Sequence, residues 1–384
     1  MKTSSEYELS EMPSIAETPN GPFKYFSVVD LAKQAVSSIG GIVFQRNWKS
    51  GLLIVLALSL NSWAAGLACL FGSVVSILTG MALKSGRRVQ DSGILGLNGA
   101  LAGAALVAFT KDNSAAWGLS GLLQWLWIAL AAATCTVMVS GFDSLLRPRR
   151  LPVLFSPFCA ATWVFLASLQ QFSGVATPVH LQAATAASAG SVLLTVLEGT
   201  VNGFAQIFFQ QGLLPGLFII LAITLNSRIS ALLSLGGCFL ATAGSLLFGA
   251  PDPMIRSGVY GSNAALTALL LGGLFLFLEA SGWVYALAGA LLSAVASAAA
   301  ATVFQPLGLP VLFLPFVTVS WLMMAAMKGF HRVPAASFFA VLAHDLLPHA
   351  DELPRLSTPV QDSEDTEGTE AASDSMEGEL WQAK

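Results

Sequence analysis

Long apolar runs alternate with short polar or basic stretches from about residue 25 to residue 330. Residues 25–45 read as a weakly apolar first helix, with Asp30 and Lys33 near its start. Residues 51–83 are uncharged and mostly apolar for 33 positions. A helix crossing a bilayer needs about 20 residues, so this run fits two short helices better than one, with the break near Asn61 and Ser62. A basic loop (Lys84, Arg87, Arg88), a glycine-rich segment running on to Phe109, a span over 117–141, a second basic loop (Arg147, Arg149, Arg150) and an apolar segment over 151–169 follow. After a polar interval, 170–190, the programme returns: 192–211, 213–248 (again long enough for two helices), a glycine-rich segment, 265–304 and 309–327, closed by Lys328 and Arg332.

The return is a repeat in letters as well as in hydropathy. LPVLFSPF (Leu151–Phe158) recurs as LPVLFLPF (Leu309–Phe316), with Ser156 against Leu314 the one difference. GILGLNGAL (Gly93–Leu101) recurs as GVYGSNAAL (Gly258–Leu266), and IVFQ (Ile42–Gln45) as IFFQ (Ile207–Gln210). The offset is 165 residues from Asn98 to Asn263 and from Gln45 to Gln210, and 158 from Leu151 to Leu309. One unit is written twice, over 23–175 and 190–335. Five spans per copy plus a broken or re-entrant piece is an odd number, which turns the second copy upside down relative to the first. The expected fold is therefore an all-α integral membrane protein. It has two inverted repeats of five transmembrane helices, a re-entrant half-helix in each, and a central pore in each protomer. Inverted repeats place a solute site at the repeat interface near the midplane. The clusters at 147–150 and 328–332 then both face the cytoplasm, as the positive-inside rule asks. The cluster at 84–88 falls on the other side in this count, against the rule.

Composition agrees with a membrane body. Only 10% of residues are charged and 55% are hydrophobic, against about 25% charged in a soluble domain. The net charge of −4 comes from the ends, because residues 1–22 and 351–384 hold 14 of the 22 acidic residues. The body, 23–350, carries 15 basic and 8 acidic residues. Residues 1–22 lack the apolar core of a cleavable signal and read as a disordered tail, as do residues 350–384, rich in Asp, Glu, Ser and Thr. Both termini are expected in the cytoplasm of a multi-pass protein of the cell membrane, plasma or bacterial inner.

Chemistry is sparse inside the body. Cys69, Cys135, Cys159 and Cys238 sit in apolar runs without ligand spacing and read as small core residues. His180, His331, His344 and His349 lie outside the spans. Glu198, near the start of the segment carrying Gln206, and Glu279, within FLFLEASGW, are the notable carboxylates. With no catalytic constellation in the spans, no metal or cofactor is expected and the chain is not read as an enzyme. Nor is a nucleic acid expected among its partners. Without paired charges, ion carriage and proton coupling find no support, and the amides, hydroxyls and carbonyls left suit passive passage of a small neutral polar solute.

The repeated motifs supply the candidate site. Pro152 and Pro157, and their equivalents Pro310 and Pro315, are the breakers expected of half-helices meeting inside a membrane, where non-helical backbone survives only against protein or a water-filled cavity. Asn98 and Asn263 are expected to cap a half-helix or bridge helices. Gln206 and Gln210, four apart, are expected on one helical face, with Gly41 and Gln45 as the first-copy pair.

At these motifs the chain resembles the urea transporter family. The family pattern LPxxTxPF, once per half, is matched in all but its Thr by Leu151–Phe158 and Leu309–Phe316; G-x-x-G-[FY]-N is matched in all but its aromatic by Gly93–Asn98 and Gly258–Asn263. The resemblance covers about residues 25–330 and implies ten spans with two re-entrant half-helices, a pore in each protomer and a homotrimer. It further implies channel-like facilitated diffusion of urea or closely related amides, stacked between aromatic rings and bonded along a ladder of oxygens. Gln206 matches the family's glutamine, and its first-half equivalent is Gly41. The pattern's threonines, implied to lie at the pore constriction, are Phe155 and Phe313, and its aromatics are Leu97 and Ser262. The implied pore-lining set is thus Gln206, Phe155, Phe313, Leu97, Ser262, Gln45, Gln210, Leu154 and Leu312, with Asn98, Asn263 and the four prolines as its frame. Two alternatives stay open: the same fold passing another small neutral solute or water, and a closed membrane sensor or scaffold acting through its acidic tail.

Overall fold

Short polar side chains decide where the helices begin. Ser27 opens α1 (Val28–Gly41) with a capping box, its hydroxyl accepting from the Val29 N–H and its own N–H donating to the Asp30 carboxylate at 3.2 Å. Asn47 opens α2 (Trp48–Asn61), accepting from the Lys49 N–H at 2.7 Å. Ser62 ends α2 and opens α3 (Trp63–Ala82), its extended backbone (φ −152°, ψ 101°) breaking the apolar run as expected. Such side-chain oxygens satisfy amides that a helix start leaves without a partner. The first copy continues with α4 (Ile94–Thr110), α5 (Leu119–Leu146) and α6 (Ser156–Ser173).

The second copy repeats the order: α7 (Val192–Gln206), α8 (Leu213–Asn226), α9 (Arg228–Leu247), a short α10 (Asp252–Arg256), then α11 (Val259–Leu270), α12 (Ala280–Phe304) and α13 (Leu314–Met327). Ser227, one repeat after Ser62, breaks the run between α8 and α9 with almost the same angles, −148° and 111°. The computed structural model describes residues 27–86, 89–90, 92–110, 119–149, 151–173, 191–272 and 280–327. Both tails, Arg87, Arg88, Arg150, Lys328, Arg332, Glu279 and the four histidines lie outside the described residues, as does most of the polar interval 170–190.

Among the described residues, four helices are long and apolar enough to cross a bilayer: Trp63–Ala82, Gly121–Arg149, Arg228–Leu247 and Ser281–Leu307. Leucines at the surface, such as Leu52, Leu67, Leu122 and Leu232, are well exposed, as lipid-facing positions require. The protein is a multi-pass helical membrane protein.

Contacts between helices rely on small residues. A Cβ added to Gly72 of α3 would stand 2.2 Å from the Gly99 carbonyl oxygen of α4, and one added to Gly99 would stand 2.4 Å from that of Gly72. The two backbones touch there and leave no room for a methyl group. Between the copies the seam is polar at both ends. Asn47, at the start of α2, donates to Asn226, at the end of α8, at 3.0 Å. Asn61, at the end of α2, donates to Gln210, just before α8, at 2.7 Å. Helices α2 and α8 therefore run antiparallel, with Ile54, Leu58, Ile219 and Ile223 buried in the same core.

Candidate functional site

The repeated octapeptides interrupt the helices beside them. Leu154 and Leu312 have φ of 51° and 54°, a left-handed region that costs a bulky residue about 1–3 kcal/mol. The motif asparagine of the same copy holds each one there. Asn98 Nδ2 donates to the Leu154 carbonyl at 3.3 Å, and its Oδ1 accepts from the Phe158 N–H at 3.0 Å. Asn263 treats the Leu312 carbonyl (3.2 Å) and the Phe316 N–H (3.1 Å) the same way. One amide thus fixes the turn and supplies a partner for an early N–H of α6 or α13. Pro157 and Pro315 are second residues of those helices, where a missing N–H costs nothing. Pro152 and Pro310 offer their carbonyls across the repeat: Trp321 Nε1 donates to Pro152 at 2.8 Å and Trp163 Nε1 to Pro310 at 2.7 Å.

A second pair of turns ends α1 and α7. Phe44 and Phe209 have φ of 58° and 57°. The first helix stops at Gly41 rather than 45, and the seventh at Gln206. Gln206 and Gln210 accordingly do not share a helical face: Gln206 closes the helix and Gln210 lies past the left-handed Phe209. Gln45 and Gln210 are buried in the seam. Asn226 Nδ2 donates to Gln45 Oε1. Gln210 Oε1 accepts from Asn61, while its Nε2 donates to the Phe208 carbonyl at 3.2 Å. Leu97 of α4 reaches toward Gly41, where an added Cβ would meet its Cδ2 at 3.7 Å. Glu198 falls midway along α7, not near its start, and its carboxylate meets Arg256 Nη1 at 2.5 Å.

A cavity of about 350 Å3 opens beside the second copy's motifs, room for on the order of ten waters. Six amide-bearing residues line it (Asn61, Gln206, Gln210, Gln211, Asn263 and Gln305), together with Ser62, Tyr260, Ser262 and Ser297; of these, Asn61 and Gln210 bond each other and Asn263 holds the Leu312 turn. Phe209, Leu312 and Phe313 also form part of its wall. Among the described residues lining it, none is charged. Such a wall offers polar groups suited to a neutral polar solute and no counter-charge to an ion.

Next to the cavity lies a cluster of six phenylalanines with matched geometry in the two copies. Phe155 and Phe313 meet at 5.6 Å between ring centroids. Phe44 meets Phe155 at 6.3 Å where Phe209 meets Phe313 at 5.6 Å. Phe316 meets Phe155 at 5.1 Å where Phe158 meets Phe313 at 5.9 Å. Phe155, Phe158, Phe313 and Phe316 are fully buried.

The family model described as "Urea transporter" matches residues 32–328, most of the chain and both copies of every motif. The chain belongs to the urea transporter family. It is 30% identical over 286 residues to urea transporter 1 of Ovis aries, covering 72% of each chain. It is 30% identical over 280 residues to urea transporter 1 of Mus musculus, covering 71% of each, and 31% identical over 264 residues to that of Rattus norvegicus. This urea transporter family member therefore keeps the prolines and asparagines that frame the motif. It carries rings, Phe155 and Phe313, where the motif calls for hydroxyls.

The sequence reading missed several residues of this site. Asn226 stands 165 residues after Asn61, and Trp321 stands 158 after Trp163. The repeat offsets alone mark both pairs. Gln211 and Gln305 belong to no paired motif and gave no such signal, and Tyr260 lies within the paired glycine motif but opposite a leucine, Leu95, so its hydroxyl is not repeated.

Proposed function

We propose that the protein is a channel-like passive transporter of urea and closely related small amides, with its path running between the two repeats. The observation that carries this is the uncharged, amide-rich cavity against the second LPVLF turn, in a chain of the urea transporter family. Gln206 is the residue we assign to bind the solute there, because it faces the cavity beyond the last turn of α7. Ser262 and the Leu312 and Phe313 region line the same approach. Leu97, Leu154 and Phe155 are their first-copy counterparts toward the opposite mouth, while Gln45 and Gln210 hold the seam.

The antiparallel pairing of α2 with α8 supports an inverted arrangement of repeats spanning 23–175 and 190–335. A two-fold axis in the membrane plane turns each contact into its equivalent. The Asn226–Gln45 and Asn61–Gln210 bonds are such a pair. We assign a homotrimer with one path per protomer, in the cell membrane, with both termini cytoplasmic. The exposed Arg147 and Arg149 at the end of α5 support that orientation.

The test is uptake of labelled urea into liposomes holding the purified protein. Flux above the lipid background, lowered about two- to tenfold by Gln206→Leu, is expected, since losing one well-placed hydrogen bond costs about 0.5–1.5 kcal/mol. No flux above background would refute the reading.

A further inference from the structure

The cavity and the ring cluster beside it are chemical opposites. Six amide-bearing residues line the first, whereas the second is built of six phenylalanine rings. Where the family motif would place two hydroxyls, Phe155 and Phe313 meet edge to face at 5.6 Å and are 2% and 1% exposed. Phe44 stacks on Phe155 at an interplanar angle of 10°, and Phe209 packs against Phe313 at 5.6 Å. The backbone beneath both rings is pinned, because Leu154 and Leu312, the residues just before them, are each tied by an asparagine.

We infer that the Phe155–Phe313 pair is the specificity-determining element of the path: a dry apolar constriction that favours amides in which a methyl group replaces one amino group, and that excludes water. This rests on the transport reading above and names the solute class it leaves open. Urea and acetamide each have four heavy atoms of nearly the same shape, so the constriction cannot separate them by size. They differ in how much hydration each must shed. Urea carries four N–H donors into a stretch with no acceptor beyond a ring face, and acetamide carries two. A buried polar group without a partner is costly, so each donor removed from the solute lowers the barrier. Water meets the same dry stretch with no apolar surface to offer it, and apolar constrictions of this kind close a pore by dewetting.

The test compares three fluxes in the same protein-containing liposomes, each corrected for protein-free liposomes: acetamide, urea, and water by osmotic shrinkage. In the native protein the expected acetamide-to-urea ratio is at least tenfold higher than in the Phe155→Thr/Phe313→Thr double variant, with water flux at background. The variant is expected to gain urea and water flux together. A second double variant, Phe155→Leu/Phe313→Leu, keeps the stretch apolar while removing the rings. It is expected to raise both amide fluxes at an unchanged ratio and still to exclude water. It also keeps the comparison open where the threonine pair fails to assemble. Native water flux above background, or equal ratios in the native protein and the threonine variant, overturns this inference and leaves passive urea transport standing, as does a ratio that falls in the leucine variant. Absence of flux for both amides overturns the transport reading and this inference with it.

Discussion

Asn98 and Asn263 each use both ends of one amide, the NH2 on a left-handed leucine's carbonyl and the oxygen on the N–H of the residue after the motif proline. Both partners are buried, so deleting the amide leaves two backbone groups with nothing in its place. Each such loss costs about 1–3 kcal/mol. Asn98→Leu and Asn263→Leu are each expected to lower the detergent-solubilised melting temperature, and Asn263→Leu to lose urea uptake as well because the Leu312 turn lies in the cavity wall. A melting temperature unchanged in both would show that the turns hold without them. The asparagines were legible in the sequence because they repeat at a fixed offset inside a glycine motif. The turns they hold were not, because left-handed backbone is announced by glycine or asparagine, and here Phe44, Leu154, Phe209 and Leu312 occupy it. The same silence explains why Gln206 and Gln210 read as neighbours on one helix face: no breaker stands between them.

At the level of elements, hydropathy located most of the helices, and Ser62 marked the break in the first long run; the break in the second, at Ser227, came from the structure. What hydropathy cannot give is which helices touch, since every apolar stripe is equally content against lipid or protein. The contacts are carried by residues that hydropathy ranks as neutral. Gly72 and Gly99 let α3 and α4 meet backbone to backbone, and the Asn61–Gln210 and Asn226–Gln45 bonds join α2 and α8. Repeat symmetry predicts that the two seam bonds are equivalent. Asn61→Ala and Asn226→Ala are therefore each expected to cost within the 1–3 kcal/mol of a buried amide left unpaired, Asn226→Ala the more, because it also releases Asn47, whose repeat equivalent is Gly212. The double variant is expected to lose about their sum, because the two bonds sit at opposite ends of a helix of 14 residues, about 21 Å long. Thermal unfolding of the two singles and the double measures this. A larger loss for Asn61→Ala than for Asn226→Ala would mean that the seam is not two-fold in energy, whatever its geometry.

For the whole molecule, the decisive property is orientation. If the second copy is the first turned over, equivalent positions must open to opposite sides of the membrane. Ser27 and Ser191 are such a pair to within one residue, the exposed cap residues of α1 and α7. The four native cysteines are buried, so a membrane-impermeant maleimide meets little background, and replacing them with alanine removes what remains. With both termini in the cytoplasm, Ser27→Cys is expected to label only after the membrane is opened, and Ser191→Cys in intact cells. Labelling of both from one side would mean that the first copy crosses the membrane an even number of times and that the repeats are parallel. A parallel pair has its axis along the membrane normal, and equivalent turns then stand at the same depth rather than mirrored about the midplane. The antiparallel α2–α8 seam speaks against that outcome. Two helices related by an axis along the normal run the same way, whereas Asn47 meets Asn226 and Asn61 meets Gln210, start against end at both extremes of the seam.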